Sequence, residues 1–284
     1  MRTAVFLILA LGGSMAAHAQ AFEGRLKRII DTKTIAIAYR ADAKPFSFSE
    51  GGSPPEGFSI DLCKRVVNSI ERELKVSGLK VNWVPVEVQS RFEAVAKGRA
   101  DMECGSSTIT LARMKEVDFS SVIFVESTGL LVKSASGLRS LSDLSGKNIA
   151  VVAGTTNERA VNAQLKRRQL DIAVLPFPSR AEALAALENG KAAAFASDKL
   201  LLVGAASSAK DARALTLLAD QLSFEPYGIV LPRGDAALRL AVNTGLAHLY
   251  QGDEIVEIYR RWFAAFGRPS PILEAAYMLG AIPE

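Results

Sequence analysis

The chain has very little of what metal and nucleophile chemistry usually draws on. Its 284 residues hold two cysteines and two histidines. His18 falls in the N-terminal segment, and His248 lies in a helical-looking stretch, Leu246-Ala247-His248-Leu249-Tyr250. One histidine beyond the N-terminal segment cannot build a zinc site of the usual kind. It also leaves little for Ser-His or Cys-His catalysis, which argues against a hydrolase. No metal and no cofactor is expected. No Lys/Arg run appears, so the formal charge of +4 describes a mildly basic surface and not a nucleic-acid-binding one. The chain also lacks an apolar run of the roughly 20 residues that a membrane span needs.

The N-terminus carries a shorter apolar run. Arg2 precedes Ala4-Val5-Phe6-Leu7-Ile8-Leu9-Ala10-Leu11, and Ala17-His18-Ala19 follows as a small-x-small cleavage site. Residues 1–19 therefore read as a secretory signal peptide, cut after Ala19. No Cys stands near that point to take a lipid. About 265 residues remain, enough for one large domain or two ordinary ones. Export to an oxidising compartment leaves Cys63 and Cys104 as either a disulfide or two buried thiols.

Strand and helix patterns alternate along the rest. Thr34 to Tyr39 alternates like a strand; Asp61 to Leu74 carries Leu62, Val66, Val67, Ile70 and Leu74 at helical spacing. Val81 to Val86 and Ala100 to Cys104 read as strands around a helix from Phe92 to Lys97. A second set repeats the order. Asn148 to Val152, Ile172 to Leu175 and Ala192 to Ala196 read as strands, with helices opening at Gly154-Thr155-Thr156 and running from Ala181 to Leu187. The alternation predicts an α/β fold with mostly parallel sheets flanked by helices.

The two sets share a segment. Ser90-Arg91-Phe92-Glu93-Ala94 and Ser179-Arg180-Ala181-Glu182-Ala183 both read S-R-x-E-A, a capping-box pattern at a helix start. It fits either a common capping habit or two similar lobes. Helix starts in open α/β sheets lie at the carboxyl ends of the strands, where ligands bind. Thr128 to Lys133 and Tyr227 to Leu231 read as extended crossings between the sets. Two crossings make lobe 1 discontinuous, residues 20–130 plus 228–284, with lobe 2 at 131–227. Such a pair of strands forms a hinge that can close on a ligand. Residues 267–284 contain three prolines and are expected to lie over the surface.

Five segments occur in order at fitting distances: GFSIDL (57–62), MECGSSTITLAR (102–113), VDFS (117–120), AGTT (153–156) and EPYG (225–228). Together they resemble the family 3 extracellular solute-binding proteins of amino-acid import systems, most nearly the glutamate/aspartate-binding branch. The resemblance implies a type II periplasmic-binding-protein fold with two hinge strands. It also implies a monomeric periplasmic receptor that hands a small-molecule ligand, an acidic amino acid, to a membrane ABC permease. Arg113 would then clasp the α-carboxylate, as guanidinium does through two parallel charge-assisted bonds. Without the resemblance Arg113 reads as a surface partner of Glu116 or Asp118. Ser106 and Thr108 match positions that hold the amino and carboxylate groups. Thr156, at a helix start whose free N–H groups favour an anion, matches a second α-carboxylate contact. Asp198 matches the acceptor of the α-ammonium, or else it caps a helix. Arg40, Arg91 and Arg180 match the region of the distal carboxylate. Phe46 packs either on the ligand's methylenes or in the core.

Two departures stand out. Val88 replaces a serine of the branch near the distal carboxylate, and Arg180 replaces a histidine. Four arginines facing one cleft against Asp198 alone would leave a costly excess of unpaired charge. Either Glu182 or another acid must neutralise one of them, or the ligand must be more anionic than glutamate. Two other function classes use the same scaffold, a dehydratase-type enzyme and a sensing module of a signalling receptor. An acid with a raised pKa in the cleft would favour the first. Another dicarboxylate or a polar amino acid is the alternative ligand to glutamate and aspartate.

Overall fold

The computed structural model describes residues 24–283, so the segment read as a signal peptide lies outside the described residues. The first elements are α1 (Gly24–Thr32), β1 (Thr34–Tyr39), a small hairpin of β2 (Asp42–Ala43) and β3 (Ser47–Phe48), and α2 (Phe58–Leu74). Next come β4 (Lys80–Pro85), α3 (Arg91–Ala96), β5 (Met102–Glu103) and β6 (Val117–Glu126). The chain then crosses at Ser127 into β7 (Thr128–Lys133), β8 (Asn148–Val152), α4 (Thr156–Arg168), β9 (Ala173–Phe177), α5 (Arg180–Glu188), β10 (Ala194–Asp198), α6 (Lys199–Ala206) and β11 (Leu215–Leu217). It returns through β12 (Glu225–Pro232) and ends in α7 (Ala236–Gln251), α8 (Glu254–Phe263) and α9 (Pro271–Gly280).

Two five-stranded sheets result, ordered β4-β1-β5-β12-β6 and β11-β7-β10-β8-β9. In the first, β4, β1 and β5 run parallel and β12 antiparallel beside β5. In the second, β9, β8 and β10 run parallel and β7 antiparallel beside β10. Each lobe thus has the same core: three parallel strands in the chain order second, first, third, then one antiparallel crossing strand. The two sheets make two lobes of like design.

Two of the five motifs fix particular packing contacts. Gly57 has φ +132°, and its Cα hydrogens face the Phe46 carbonyl where a Cβ would collide. Phe58 then enters an aromatic core with Phe46, Phe124 and Phe263, with ring centroids 4.9–6.2 Å apart. The Ser59 hydroxyl donates to the Gly105 carbonyl at 2.7 Å and ties α2 to the ECGS segment. Cys63 and Cys104 are joined as a disulfide between the same two places. The Glu103 carboxylate occupies the space that a Cβ at Gly105 would take.

Residues 267–283 lie over the surface as expected, most of them exposed, and they do so around a helix. Ser270 caps α9 by accepting from the Leu273 N–H, Pro271 sits in its first turn where no N–H is needed, and Leu273 and Tyr277 are buried. The Tyr277 hydroxyl donates to the Ile123 carbonyl at 3.1 Å. Pro269 and Pro283 flank this helix, and Pro271 opens it. The cap expected at Ser90 is not formed: its backbone is helical, and its hydroxyl accepts from the Glu87 N–H at 3.1 Å. Ser179 does cap α5, accepting from the Glu182 N–H.

Candidate ligand-binding site

Helix starts and strand ends from both lobes converge on one cavity. Arg91 begins α3 and Arg180 begins α5, the helices that follow the second strand of each lobe. The repeated S-R-x-E-A segment therefore delivers one guanidinium from each side. Arg40 leaves the end of β1, Asp198 ends β10, and Thr156 starts α4 with Thr155 as its cap. With Val88, Ser106, Thr108, Arg113, Thr155 and Asn157 these side chains line one narrow cavity of about 10 Å³. All the candidate residues meet there except Phe46, which is fully buried in the first lobe's aromatic core.

The lobes touch around this cavity. Thr108 Oγ1 lies 3.2 Å from Thr156 Oγ1, and Gln89 Nε2 donates to the Pro178 carbonyl at 3.2 Å. Val88 packs into the second lobe's apolar cluster with Leu131, Val152 and Ala183. In the other direction Leu201 of α6 is buried in the first lobe's core. Val88 therefore has a packing role of its own.

The arginines are held by neutral acceptors and by one acid. Arg113 donates to the Thr108 carbonyl at 2.7 Å, and no bond to Glu116 or Asp118 is seen. Arg91 donates from Nε to the Ser107 hydroxyl at 2.9 Å and from a terminal nitrogen to the Val88 carbonyl. The Phe92 ring sits between the two, 4.4 Å from the Arg91 guanidinium and 4.8 Å from that of Arg113. Such cation–π contacts favour the charged form. Asp42 pairs with Arg40 at 2.5 Å and with Arg180 at 3.3 Å, across the lobes. Glu182, by contrast, is exposed and accepts from the Ser179 hydroxyl. The neutralising acid is Asp42. Both Arg40 and Arg180 still keep a buried Nε–H with no acceptor.

Burial dominates the titration of the site. It lowers Arg91 to about 9, with Arg113 adding to the effect, and lowers Arg113 to about 10, with Arg159 adding. Both stay charged at neutral pH. Burial pushes Asp42 up, but Arg180 and Arg40 more than offset it, and its carboxyl stays below the ordinary range. Glu103 lies fully buried behind the arginines. Burial raises its carboxyl while Arg91 opposes, and Ser107 is near enough to favour its charge without an aligned hydrogen bond. Asp198 is raised to about 6 by burial and then by Glu225. The Asn157 amide donates to Asp198 at 2.9 Å and to the Thr128 hydroxyl at 2.8 Å. Asp198 precedes α6 yet makes no capping bond, so its carboxylate stays available to the cavity.

Sequence reasoning did not single out Asp42, Glu103, Phe92 or Asn157. Glu103 lay inside the quoted MECGSSTITLAR segment, and Asn157 follows directly on AGTT. Nothing in the sequence links Asp42 to an arginine 138 positions away.

Residues 35–265 match the family model described as bacterial extracellular solute-binding proteins, family 3. The chain belongs to this family. It is 37% identical over 242 residues to the L-glutamate/L-aspartate-binding protein of Pseudomonas aeruginosa, covering 84% of this chain and 80% of that protein. It is 30% identical over 262 residues to the ABC transporter glutamine-binding protein GlnH of Bacillus subtilis, covering 90% and 92%. Among solved structures it resembles an ancestral amino acid-binding protein, AncCDT-1, described as a precursor of cyclohexadienyl dehydratase. That match has a TM-score of 0.72 and 30% identity, and covers 84% of this chain and all (100%) of the other. This family 3 member is a solute-binding protein of amino-acid ABC importers, not an enzyme. Among the described residues no group of His, Cys, Asp and Glu could hold a metal ion, and no helix is long and apolar enough to cross a membrane.

Proposed function

We propose that the protein binds glutamate or aspartate between its lobes, in the periplasm, and delivers it to an ABC permease. The observation that carries this reading is the pair of buried, acceptor-free Nε–H groups on Arg40 and Arg180, beside a third buried guanidinium on Arg91. Buried donors in native proteins are nearly always paired, so a ligand acceptor belongs there. At the other end, Arg113, Thr108 and Thr156 take the α-carboxylate, while Ser106 and Asp198 take the α-ammonium. A carboxylate is the strongest acceptor available for an ammonium. Arg40, Arg91 and Arg180 then receive the side-chain carboxylate. Residues 1–19 direct export, and the two lobes close about the two crossings. The names of the relatives, which include both glutamate/aspartate- and glutamine-binding proteins, support the class. Mass spectrometry of small molecules released on denaturing the purified protein tests it. Glutamate or aspartate is the expected species, and a neutral or basic amino acid overturns the reading.

A further inference from the structure

Arg40 and Arg180 come from different lobes and meet at one carboxylate. Asp42 stands in the two-residue strand β2, two positions after Arg40, and reaches Arg180 only where the lobes touch. Its side chain is 35% exposed, on a groove that flanks the cavity, and the arginines are 3% and 9% exposed. Asp42 therefore lies behind the two guanidiniums and not among the groups lining the cavity. Its oxygens take terminal nitrogens of Arg40 and Arg180, which leaves the Nε–H groups unpaired. The arrangement subtracts charge from the tail end of the site without consuming every donor there. Without Asp42 the site would carry one positive charge more, in surroundings too dry to screen it.

We propose that Asp42 is the selectivity-setting residue of this site: by pairing Arg40 to Arg180 across the lobes, it fixes how strongly the site prefers a carboxylate tail over an amide tail. The proposal rests on the acidic amino-acid reading above. Asp42 acts through the arginines, so it is a positioning residue and touches no ligand. Its loss has two effects that can be separated. Breaking the contact between the lobes weakens every ligand alike. Removing the charge favours anionic tails over neutral ones.

Glutamate and glutamine have nearly the same shape and differ by one tail charge, so the ratio of their Kd values isolates the second effect. Both are titrated calorimetrically against the wild-type protein, Asp42→Asn and Asp42→Glu, with thermal unfolding to verify folding. Asp42→Ser replaces the Asn variant if that fails to fold. The expected result is a glutamine-to-glutamate Kd ratio that rises about tenfold or more in Asp42→Asn, while Asp42→Glu keeps the wild-type ratio. A folded Asp42→Asn or Asp42→Ser variant in which both affinities change by the same factor overturns the proposal. A wild-type protein that prefers glutamine to glutamate instead overturns the acidic-ligand reading, so the two failures are distinguishable.

Discussion

Gly204 offers a direct perturbation of lobe closure. It lies inside α6, on the second lobe, and faces the Lys44 carbonyl of the first. A Cβ built there would stand 2.1 Å from the carbonyl oxygen and 2.8 Å from its carbon. Both atoms are backbone, so no rotamer relieves the clash, and the lobes would have to separate by about 1 Å. Overpacking of this kind costs roughly 1–3 kcal/mol. Since the contact exists only where the lobes meet, the cost falls on the closed, ligand-holding form. A loss of 1–3 kcal/mol corresponds to roughly 5- to 150-fold weaker binding. Within one lobe the same substitution is favourable, because Ala is about 1 kcal/mol better than Gly inside a helix. Gly204→Ala should therefore bind ligand more weakly by calorimetry while its ligand-free form unfolds at the same or a higher temperature. Small-angle scattering should show a smaller compaction on adding ligand. Unchanged affinity, or a loss of affinity matched by a loss of ligand-free stability, would refute the reasoning.

Three further outcomes follow from the site and its frame. Asp198, raised to about 6, must be ionised to accept an ammonium, so affinity should be flat above pH 7 and fall toward tenfold per unit below about pH 6; titrations from pH 5 to 8 check this. Glu126, at the β6 end of the crossing, is raised to about 7 by burial and then by Asp198. The folded protein therefore binds this proton more tightly than the unfolded chain, and stability falls as pH rises from about 4.5 to 7, by on the order of 3 kcal/mol. Glu126→Gln should match wild type in urea at pH 4 and exceed it at pH 8. The Cys63–Cys104 disulfide closes a loop with a sequence separation of 41; chain entropy puts its contribution at about 4 kcal/mol, so Cys63→Ala with Cys104→Ala should lower the unfolding free energy by roughly that amount.

Much of this arrangement could be read from local sequence. Alternation at β1 and short apolar runs at β8 and β10 locate the parallel strands to within a residue or two, since strands covered on both faces are apolar nearly throughout. The repeated S-R-x-E-A segment marks equivalent helices in the two lobes, and its arginines do reach one cavity. The capping inference worked at Ser179 and failed at Ser90 because the preceding turn, closed by Glu87, took the hydroxyl first. Charge balance could be posed as a question but not answered. Glu182, three residues into a cap, is committed to its own helix end, whereas Asp42 meets Arg180 through tertiary contact alone. Phe46 illustrates the same limit: its P-F-S context fits a ligand contact or a core position, and only packing against Phe58, Phe124 and Phe263 decides.

The central claim is that one cavity between the lobes binds an acidic amino acid, and calorimetric titration of the purified protein with L-glutamate, L-aspartate, L-glutamine and L-arginine tests it most directly. The account predicts saturable one-to-one binding of glutamate or aspartate, tighter than glutamine, with arginine silent, and loss of that binding in Arg113→Ala. Tighter binding of arginine or glutamine than of either acid would contradict it.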